Sequence, residues 1–317
     1  MGAQRGQWFL PPEQRILYQD DTIFDLDRVA RELTVIMSSS VGDFTPSTDK
    51  VVAALESLQA NVALHWCRKI LVFDKVPSRE DIESMKLDKK RYIEVVRGHK
   101  WEQMWNEKRD GYDEFCASLR AMKENNHPAL FNVSFMFLRD FGHLFGTVKQ
   151  AFESVSTPYV LVTQHDLRLA DRFVAADVQN VLEALYEGGA QYILLNRDVN
   201  SGSRTGRYFE MLPDKCLQAA RFSLTACAGF SDQAHFVDAT WYRREVIDQI
   251  RPEQQLTCME HVLHERWKVD PEWRRTFLYG GPEDGPFVYD LVHGAQVVDS
   301  GGRLVGLRPM PDRAVPI

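Results

Sequence analysis

The strongest constraint on the fold is an alternation of short apolar runs with amphipathic segments over the first two thirds of the sequence. Residues 33–37 (LTVIM) form a β-prone run that ends at the serines 38–40, which predicts a strand followed by a loop. Val51, Leu55 and Leu58 then recur at helical spacing, and a second apolar run over 70–73 ends at Asp74. Strand, helix and strand in this order form the opening unit of a parallel sheet.

The alternation continues and predicts an α/β fold with a mixed, mainly parallel central sheet flanked by helices. The charged segment 78–126 is helical in composition and is expected to be an insertion that covers the sheet through Trp101, Trp105, Tyr112 and Phe115. We expect one domain whose halves are 33–197 and 198–317, with a polar surface loop at 198–207 and a Pro- and Gly-rich tail from 280. The other predicted strands are 131–138, 159–163, 192–195 and 235–242, and the other predicted helices are 145–155, 174–185, 243–250 and 257–268.

The charge balance limits the partners of the chain. The 317 residues include 38 Lys and Arg against 45 Asp and Glu, a net charge of -7. A surface of that sign repels phosphate backbones and anionic lipid, which argues against nucleic acid and membrane surfaces as partners. One small anion is still allowed, because a local cation overcomes a weak overall field.

The cysteines and the absence of long apolar runs indicate a soluble chain, and we expect a cytoplasmic location. The five cysteines are widely spaced and form no C-x-x-C pair, which argues against a disulfide framework and against a thiolate zinc site. No stretch approaches the roughly 20 apolar residues of a membrane span, and no signal sequence is evident at the amino terminus.

The most informative site signal is the end of the fourth strand, where an apolar run stops at Gln164, His165 and Asp166. Open α/β sheets bind ligands at the carboxyl ends of their strands, so Asp166 is a candidate ligand for a divalent metal. The alternative is a polar turn in which Asp166 caps the next helix. The residues themselves leave both interpretations open.

Residues 33–266 resemble the GT-A fold of nucleotide-sugar glycosyltransferases, particularly the family-2-like members. The resemblance rests on the order and spacing of segments rather than on identity. Four segments carry it, beside the strand ends at 38–40 and at 74: FGHLFGTVKQA at 141–151, TPYVLVTQHD at 157–166, VDATWYRRE at 237–245 and MEHVLHER at 259–266.

The resemblance implies roles for individual residues. Asp166 corresponds to the last acidic position of an Asp-x-Asp metal motif whose first Asp is Gln164 here, and Glu260 lies where the catalytic base is supplied, followed by His261 in place of a second acid. His293 is a candidate second metal ligand. The expected nucleotide-sugar contacts are Ser38, Ser39, Ser40, Asp74, Lys149, Gln164 and His165.

The implied function is transfer of a sugar from a nucleotide diphosphate donor, a UDP-sugar in the first instance, to a hydroxyl of a glycan or other acceptor, assisted by Mn²⁺ or Mg²⁺. A sugar-phosphate nucleotidyltransferase is an alternative, although 38–47 lacks the Gly-rich basic signature of that family. A non-catalytic nucleotide- or sugar-binding protein of the same fold is the other, since Gln164 departs from the metal motif. Metalloprotease, P-loop and dinucleotide motifs are not found in the sequence.

Overall fold

A computed structural model describes residues 16–19, 22–39, 48–76, 101–200, 210–219, 222–251, 259–260, 262–263, 275–281, 283–291, 295–298 and 304–308. Within these residues the helices are α1 (Leu26–Glu32), α2 (Thr48–Ala60), α3 (Val62–His65), α4 (Trp101–Glu124), α5 (His143–Glu153), α6 (Ala175–Tyr186) and α7 (Ala239–Tyr242), with a 3-10 turn at Pro128–Leu130 and a π-helix at Arg243–Ile247.

The strands are β1 (Ile16–Gln19), β2 (Thr22–Asp25), β3 (Leu33–Ser39), β4 (Arg68–Phe73), β5 (Val133–Phe137), β6 (Tyr159–Gln164), β7 (Leu167–Leu169), β8 (Tyr192–Leu194), β9 (Glu210–Ala219), β10 (Phe222–Ala228), β11 (His235–Asp238), β12 (Thr276–Tyr279), β13 (Val288–Asp290), β14 (Ala295–Val298) and β15 (Leu304–Arg308).

The described strands form one nine-stranded sheet and three two-stranded ribbons. The order in the large sheet is β5-β4-β3-β6-β11-β8-β12-β10-β9. Only β11 and β10 run against the other described strands of this sheet, because each pairs antiparallel with both of its neighbours. The predicted fold class, a mixed and mainly parallel sheet flanked by helices, is therefore confirmed.

Alternation along the central strands sends side chains into two separate cores. In β3, Val35 and Met37 join the core under α2, α3, α4 and α6, whereas Ile36 joins the core under α5. Both faces of β3 are buried, which accounts for the uninterrupted apolar run at 35–37. The predicted insertion contributes Tyr112 and Phe115, both 4% exposed, while the side chains of Trp101 and Trp105 lie outside the described set.

Two predicted elements are wrong. The strand predicted over 235–242 ends at Asp238, whose carboxylate accepts a hydrogen bond from the Trp241 amide at 2.7 Å and caps α7. The region from 280, expected to be a tail, contributes β13, which pairs with β7. Strands β9, β10 and β12 were not predicted, and residues 201–207 of the expected loop are outside the described set.

Lys69 is a buried cation at the start of β4, with 1% of its surface exposed. Its Nζ donates hydrogen bonds to the carbonyl oxygens of His65 at 2.8 Å and Cys67 at 3.1 Å. Burial disfavours the charged form and lowers the pKa of Lys69 to about 8.

Lys69→Met tests this effect. Between about pH 8 and pH 10.5 the unfolded chain keeps a proton on Lys69 that the folded protein has released, so this group raises the free energy of unfolding as the pH rises. We expect the wild type to gain on the order of 2 kcal/mol relative to Lys69→Met between pH 7 and pH 10 in urea unfolding. The buried thiols of Cys67, Cys116 and Cys227, whose pKa values are raised to about 12, act in the opposite direction in both proteins and cancel in the comparison. An equal difference at both pH values would contradict the prediction.

Candidate functional site

The candidate site lies where the direction of chain winding reverses. From β3 the chain adds β4 and then β5 on one side, and it then crosses to place β6 on the other side of β3. In open α/β sheets a crevice forms at such a reversal, outside the carboxyl ends of the strands. The carboxyl ends of β3, β4 and β6 are the positions that the sequence motifs identified.

The last two carbonyl groups of β3 hold the residues on both sides of the crevice. The carbonyl oxygen of Ser39 accepts the Asp74 amide at 2.9 Å, and that of Ser38 accepts the His165 amide at 3.0 Å. The Ser38 hydroxyl donates to the carbonyl oxygen of Thr163 at 3.4 Å. Ser38, Ser39, Asp74 and His165 are thus brought together.

Asp74 connects the end of β4 to the start of α5. Its Oδ1 accepts the backbone amides of Lys75 at 2.9 Å and Gly142 at 2.8 Å, and the residue is 2% exposed. A carboxylate at the amino terminus of a helix interacts favourably with the helix dipole. His143, the residue after Gly142, has a φ of 55°, in the left-handed region that non-glycine residues rarely adopt.

His165 is held as a neutral imidazole. Burial lowers its pKa, and this outweighs the opposite effects of Asp166 and of the hydrogen bond to Ser38. Its Nδ1 lies 3.3 Å from the carbonyl oxygen of Ser38, which can only accept. Nδ1 therefore carries the proton, and Nε2 keeps the lone pair.

Asp166 does not cap a helix, because β7 follows it directly and α6 begins only at Ala175. Its backbone carbonyl accepts the Leu291 amide at 2.8 Å, which brings the β13 segment over the crevice. Its Oδ1 is buried and has no hydrogen-bond partner among the described residues. A buried carboxylate oxygen in this condition is costly unless a cation or a donor reaches it.

Gln164 acts as a hydrogen-bond donor rather than as a charged ligand. Its Nε2 donates to the carbonyl oxygen of Asp232 at 3.0 Å and so ties the end of β6 to the segment that precedes β11. An Asp at position 164 has no hydrogen to donate to that carbonyl. The Gln that replaces the first Asp of the metal motif therefore makes a hydrogen bond that an Asp could not make.

Glu260 contacts residues 231 and 232, in the segment that precedes β11. Its Oε1 accepts the Ser231 hydroxyl at 3.0 Å and the Asp232 amide at 3.2 Å. Burial, together with the nearby charge of Glu260, raises the pKa of Asp232 to about 8.

Arg197 is a cation at this edge that sequence analysis missed. It follows β8, and its Nη1 lies 3.2 Å from Oδ2 of Asp290 on β13. Its Nε lies 4.0 Å from Asp198, whose pKa is raised by burial although Arg197 opposes the shift. Its side chain is 30% exposed, so a small ligand has access to it.

Lys149 lies on α5 at a distance from Asp166. It lines a cavity of about 550 Å³ that begins at the carboxyl end of β5 and includes Gly142, Gly146, Arg139 and Glu153. Its Nζ lies 5.9 Å from the ring centroid of Phe145. From β5 to β6 there are three strand spacings, about 14 Å at the usual separation.

Three predicted site residues, Ser40, His261 and His293, lie outside the described set. Within the described part of the chain, no group of three or more His, Cys, Asp or Glu side chains is arranged to hold a metal ion. Also within that part, no helix is long and apolar enough to cross a membrane.

Sequence analysis also missed Asp232 and His143. Asp232 belongs to a segment without periodicity, and its importance comes from contacts with residues 68 and 28 positions away. His143 was inside a quoted segment, but only its backbone conformation and its burial, which lowers its pKa, distinguish it.

Comparisons with known proteins give distant structural likenesses. No protein-family model and no curated protein sequence match the chain. Similar solved structures include TarS from S. aureus (TM-score 0.46, 10% identity, covering 83% of this chain and 37% of that chain) and TarS 1–349 in complex with UDP-GlcNAc (0.42, 9%, 81% and 58%). Another is a cytidylyltransferase from Leptospira borgpetersenii (0.41, 11%, 83% and 82%).

The chain spans less than two thirds of the length of these two TarS structures. Because the three TM-scores lie below 0.5 and the identities do not exceed 11%, these likenesses assign neither a family nor an activity to the chain.

A pair of glycines tests the junction between Asp74 and α5. A Cβ at Gly142 would lie 2.9 Å from the Cα of Gly146, so Gly142→Ala must shift the helix start and its hydrogen bond to Asp74. We expect a loss of about 1 to 3 kcal/mol in the free energy of unfolding.

Gly146→Ala is the matched control, because a Cβ there meets nothing within 4 Å. As a helix-interior replacement it should stabilise the protein by about 0.5 to 1 kcal/mol. Equal effects of the two variants in urea unfolding would show that the junction is not tightly packed.

Proposed function

We propose that this protein is a glycosyltransferase that moves a sugar from a nucleotide diphosphate donor to an acceptor hydroxyl with the help of a divalent cation. The observation that carries the proposal is the position of Asp166, whose buried Oδ1 lacks a partner among the described residues at the reversal point between β3 and β6. That is the place where open α/β sheets bind nucleotide ligands.

The donor's phosphates and the cation would lie at Asp166. Mg²⁺ usually takes one or two carboxylates from a protein and completes its shell with phosphate oxygens and water, so a single Asp is compatible with the absence of a larger acidic cluster among the described residues. A bound Mn²⁺ or Mg²⁺ supplies positive charge where the departing diphosphate gains negative charge. His293 stays a predicted second ligand.

The nucleoside would lie toward β4 and β5. Asp74 and the ends of β3 would form one wall, and Gly142, whose amide donates to Asp74, also lines the cavity that includes Lys149. Three strand spacings, about 14 Å, separate the β5 and β6 ends. Lys149 and Arg139 line this cavity and are the cations available to a phosphate on that side.

Glu260 would accept the proton of the acceptor hydroxyl. General base catalysis requires a carboxylate within hydrogen-bond reach of that hydroxyl. Glu260 is fixed at the crevice by Ser231 and Asp232, and Arg197 lies on the same edge. His261, which follows Glu260, stays a candidate without a described side chain.

Nucleotide binding is the direct test of the proposal. We expect calorimetry with UDP to show tighter binding in the presence of Mn²⁺ than in its absence. Asp166→Asn should lose most of that gain, a reduction of about 10- to 100-fold in metal-dependent affinity, because the carboxylate charge is removed without a change of shape.

Asp171→Asn is the control, since Asp171 is an exposed carboxylate five residues away whose side chain is 85% exposed. Unchanged UDP affinity in Asp166→Asn would show that the site is misassigned, and no metal-dependent binding in the wild type would refute the proposal. A panel of nucleotide-sugars then separates the alternatives: binding without turnover of any donor indicates a non-catalytic protein. Formation of a nucleotide-sugar from a nucleoside triphosphate and a sugar phosphate indicates a nucleotidyltransferase.

A further inference from the structure

The segment between β10 and β11 is anchored at two points. Phe230 is fully buried in the core under α5, and Ala234 is fully buried in the core on the opposite face of the sheet. The carbonyl oxygen of Ala234 also accepts the Leu195 amide at 2.8 Å. Residues 231–233 lie between these anchors, so their place in the fold is fixed from both sides.

Ser231 is held through its backbone and through its side chain. The residue is 2% exposed. Its carbonyl oxygen accepts the hydroxyl of the buried Tyr192, and its Oγ accepts the Gln233 amide at 3.4 Å. The Ser231 hydroxyl keeps its own hydrogen, which is available for donation to another acceptor.

The same segment is joined to the strand that leads to Asp166. The carbonyl oxygen of Asp232 accepts Nε2 of Gln164, the last residue of β6, at 3.0 Å. On the other side, Oε1 of Gln233 accepts the Arg197 amide at 3.3 Å. Residues 231–233 are therefore tied to the chain at the ends of both β6 and β8.

Glu260 is brought to this segment by its neighbours in the chain. Met259 and Leu263 are each 1% exposed and belong to the same core as Phe230. Glu260 itself is only half-buried, so a substrate has access to it. Burial of its neighbours fixes the backbone at residue 260, but it does not fix the orientation of the Glu260 carboxylate.

Two hydrogen bonds supply that orientation. Oε1 of Glu260 accepts the Ser231 hydroxyl at 3.0 Å and the Asp232 amide at 3.2 Å. A Glu side chain has several rotatable bonds, and a second donor restricts motion that a single hydrogen bond allows. Both donors reach the same oxygen, so the other oxygen, Oε2, is not held by them.

We propose that Ser231 is a positioning residue for Glu260. The inference rests on the proposed function, in which Glu260 accepts the proton of the acceptor hydroxyl. The Ser231 hydroxyl holds Oε1 against the segment that Gln164 ties to β6, and Oε2 is the oxygen that takes the proton. A base contributes to the rate only when it lies within hydrogen-bond reach of that proton, so Ser231 acts on the transfer step through Glu260.

The transfer step balances as follows. The acceptor oxygen forms a bond to the sugar carbon, and its proton passes to the Glu260 carboxylate. The bond between the sugar carbon and the diphosphate oxygen breaks, and its electron pair leaves with the diphosphate. Glu260 returns the proton to solvent after product release. Ser231 keeps its own proton throughout.

The first experiment tests the hydrogen bond without any substrate. Ser231→Ala, Glu260→Ala and the double variant are compared with the wild type in urea unfolding. We expect the double variant to lose less free energy of unfolding than the sum of the two single losses, because each single variant already breaks the same bond. Strictly additive losses would overturn the inference.

The second experiment tests the positioning role with whichever nucleotide-sugar of the panel is turned over. We expect Ser231→Ala to lower kcat about 10- to 100-fold with little change in the donor KM or in metal-dependent UDP binding, because only the base is displaced. Ser231→Cys keeps the shape of the side chain with a weaker donor, so its kcat should lie between those of Ser231→Ala and the wild type. Equal changes in kcat and KM would indicate a merely structural residue.

The background of Glu260→Gln separates positioning from stability. Once the base is removed, Ser231→Ala should lower the residual kcat little further, since residues that act as a unit have non-additive effects. The same fold-loss in both backgrounds would overturn the inference.

Ser57→Ala is the matched control. Ser57 is 6% exposed, and its hydroxyl likewise donates one hydrogen bond, to the Ala54 carbonyl oxygen at 2.6 Å, and accepts one, from the Leu169 amide at 3.0 Å. We expect it to lower the free energy of unfolding but to leave kcat close to that of the wild type. Absence of metal-dependent UDP binding in the wild type would refute the proposed function, whereas an unchanged kcat in Ser231→Ala with UDP binding intact would refute this inference alone.

Discussion

The carboxyl end of β3 is the point on which the arrangement of the site depends. Its last two carbonyl groups accept the amides of the residues that directly follow the neighbouring strands, Asp74 after β4 and His165 after β6. The Tyr112 hydroxyl of α4 reaches the same Ser39 carbonyl at 3.4 Å, which connects the helical insertion to the crevice. Backbone groups that end buried strands must be satisfied, and here their satisfaction fixes three elements around one cleft.

Much of the fold could be predicted because the central strands are buried on both faces. Strands β3, β4 and β6 each contain an uninterrupted run of three or four apolar residues, and such runs are recognisable without knowledge of their neighbours. The second half of the sheet was harder. Strand β9 contains charged residues and a proline, and the run over 235–242 reads as one long strand until the capping carboxylate of Asp238 is seen to start a helix.

The site residues likewise divide into those that the sequence could predict and those that it could not. Asp74, Gln164 and Asp166 lie directly at strand ends, so topology alone places them at one edge. Asp232 and Arg197 could not be found by that rule, because they lie in loops whose positions depend on antiparallel β11 and on contacts with β13. Lys149 shows a different limit. Its helix was predicted, but that prediction does not specify which cavity the side chain lines.

The carboxylates at this edge are compensated by different physical means. Asp74 accepts two backbone amides, Asp290 pairs with Arg197, and Glu260 accepts the Ser231 hydroxyl and the Asp232 amide. Among the described residues, Asp166 Oδ1 has none of these forms of compensation. In the proposed function, a bound cation supplies the compensation that this oxygen does not receive from the described residues. This is why the metal-assisted transfer proposed here is attached to Asp166 rather than to the more numerous acids around it.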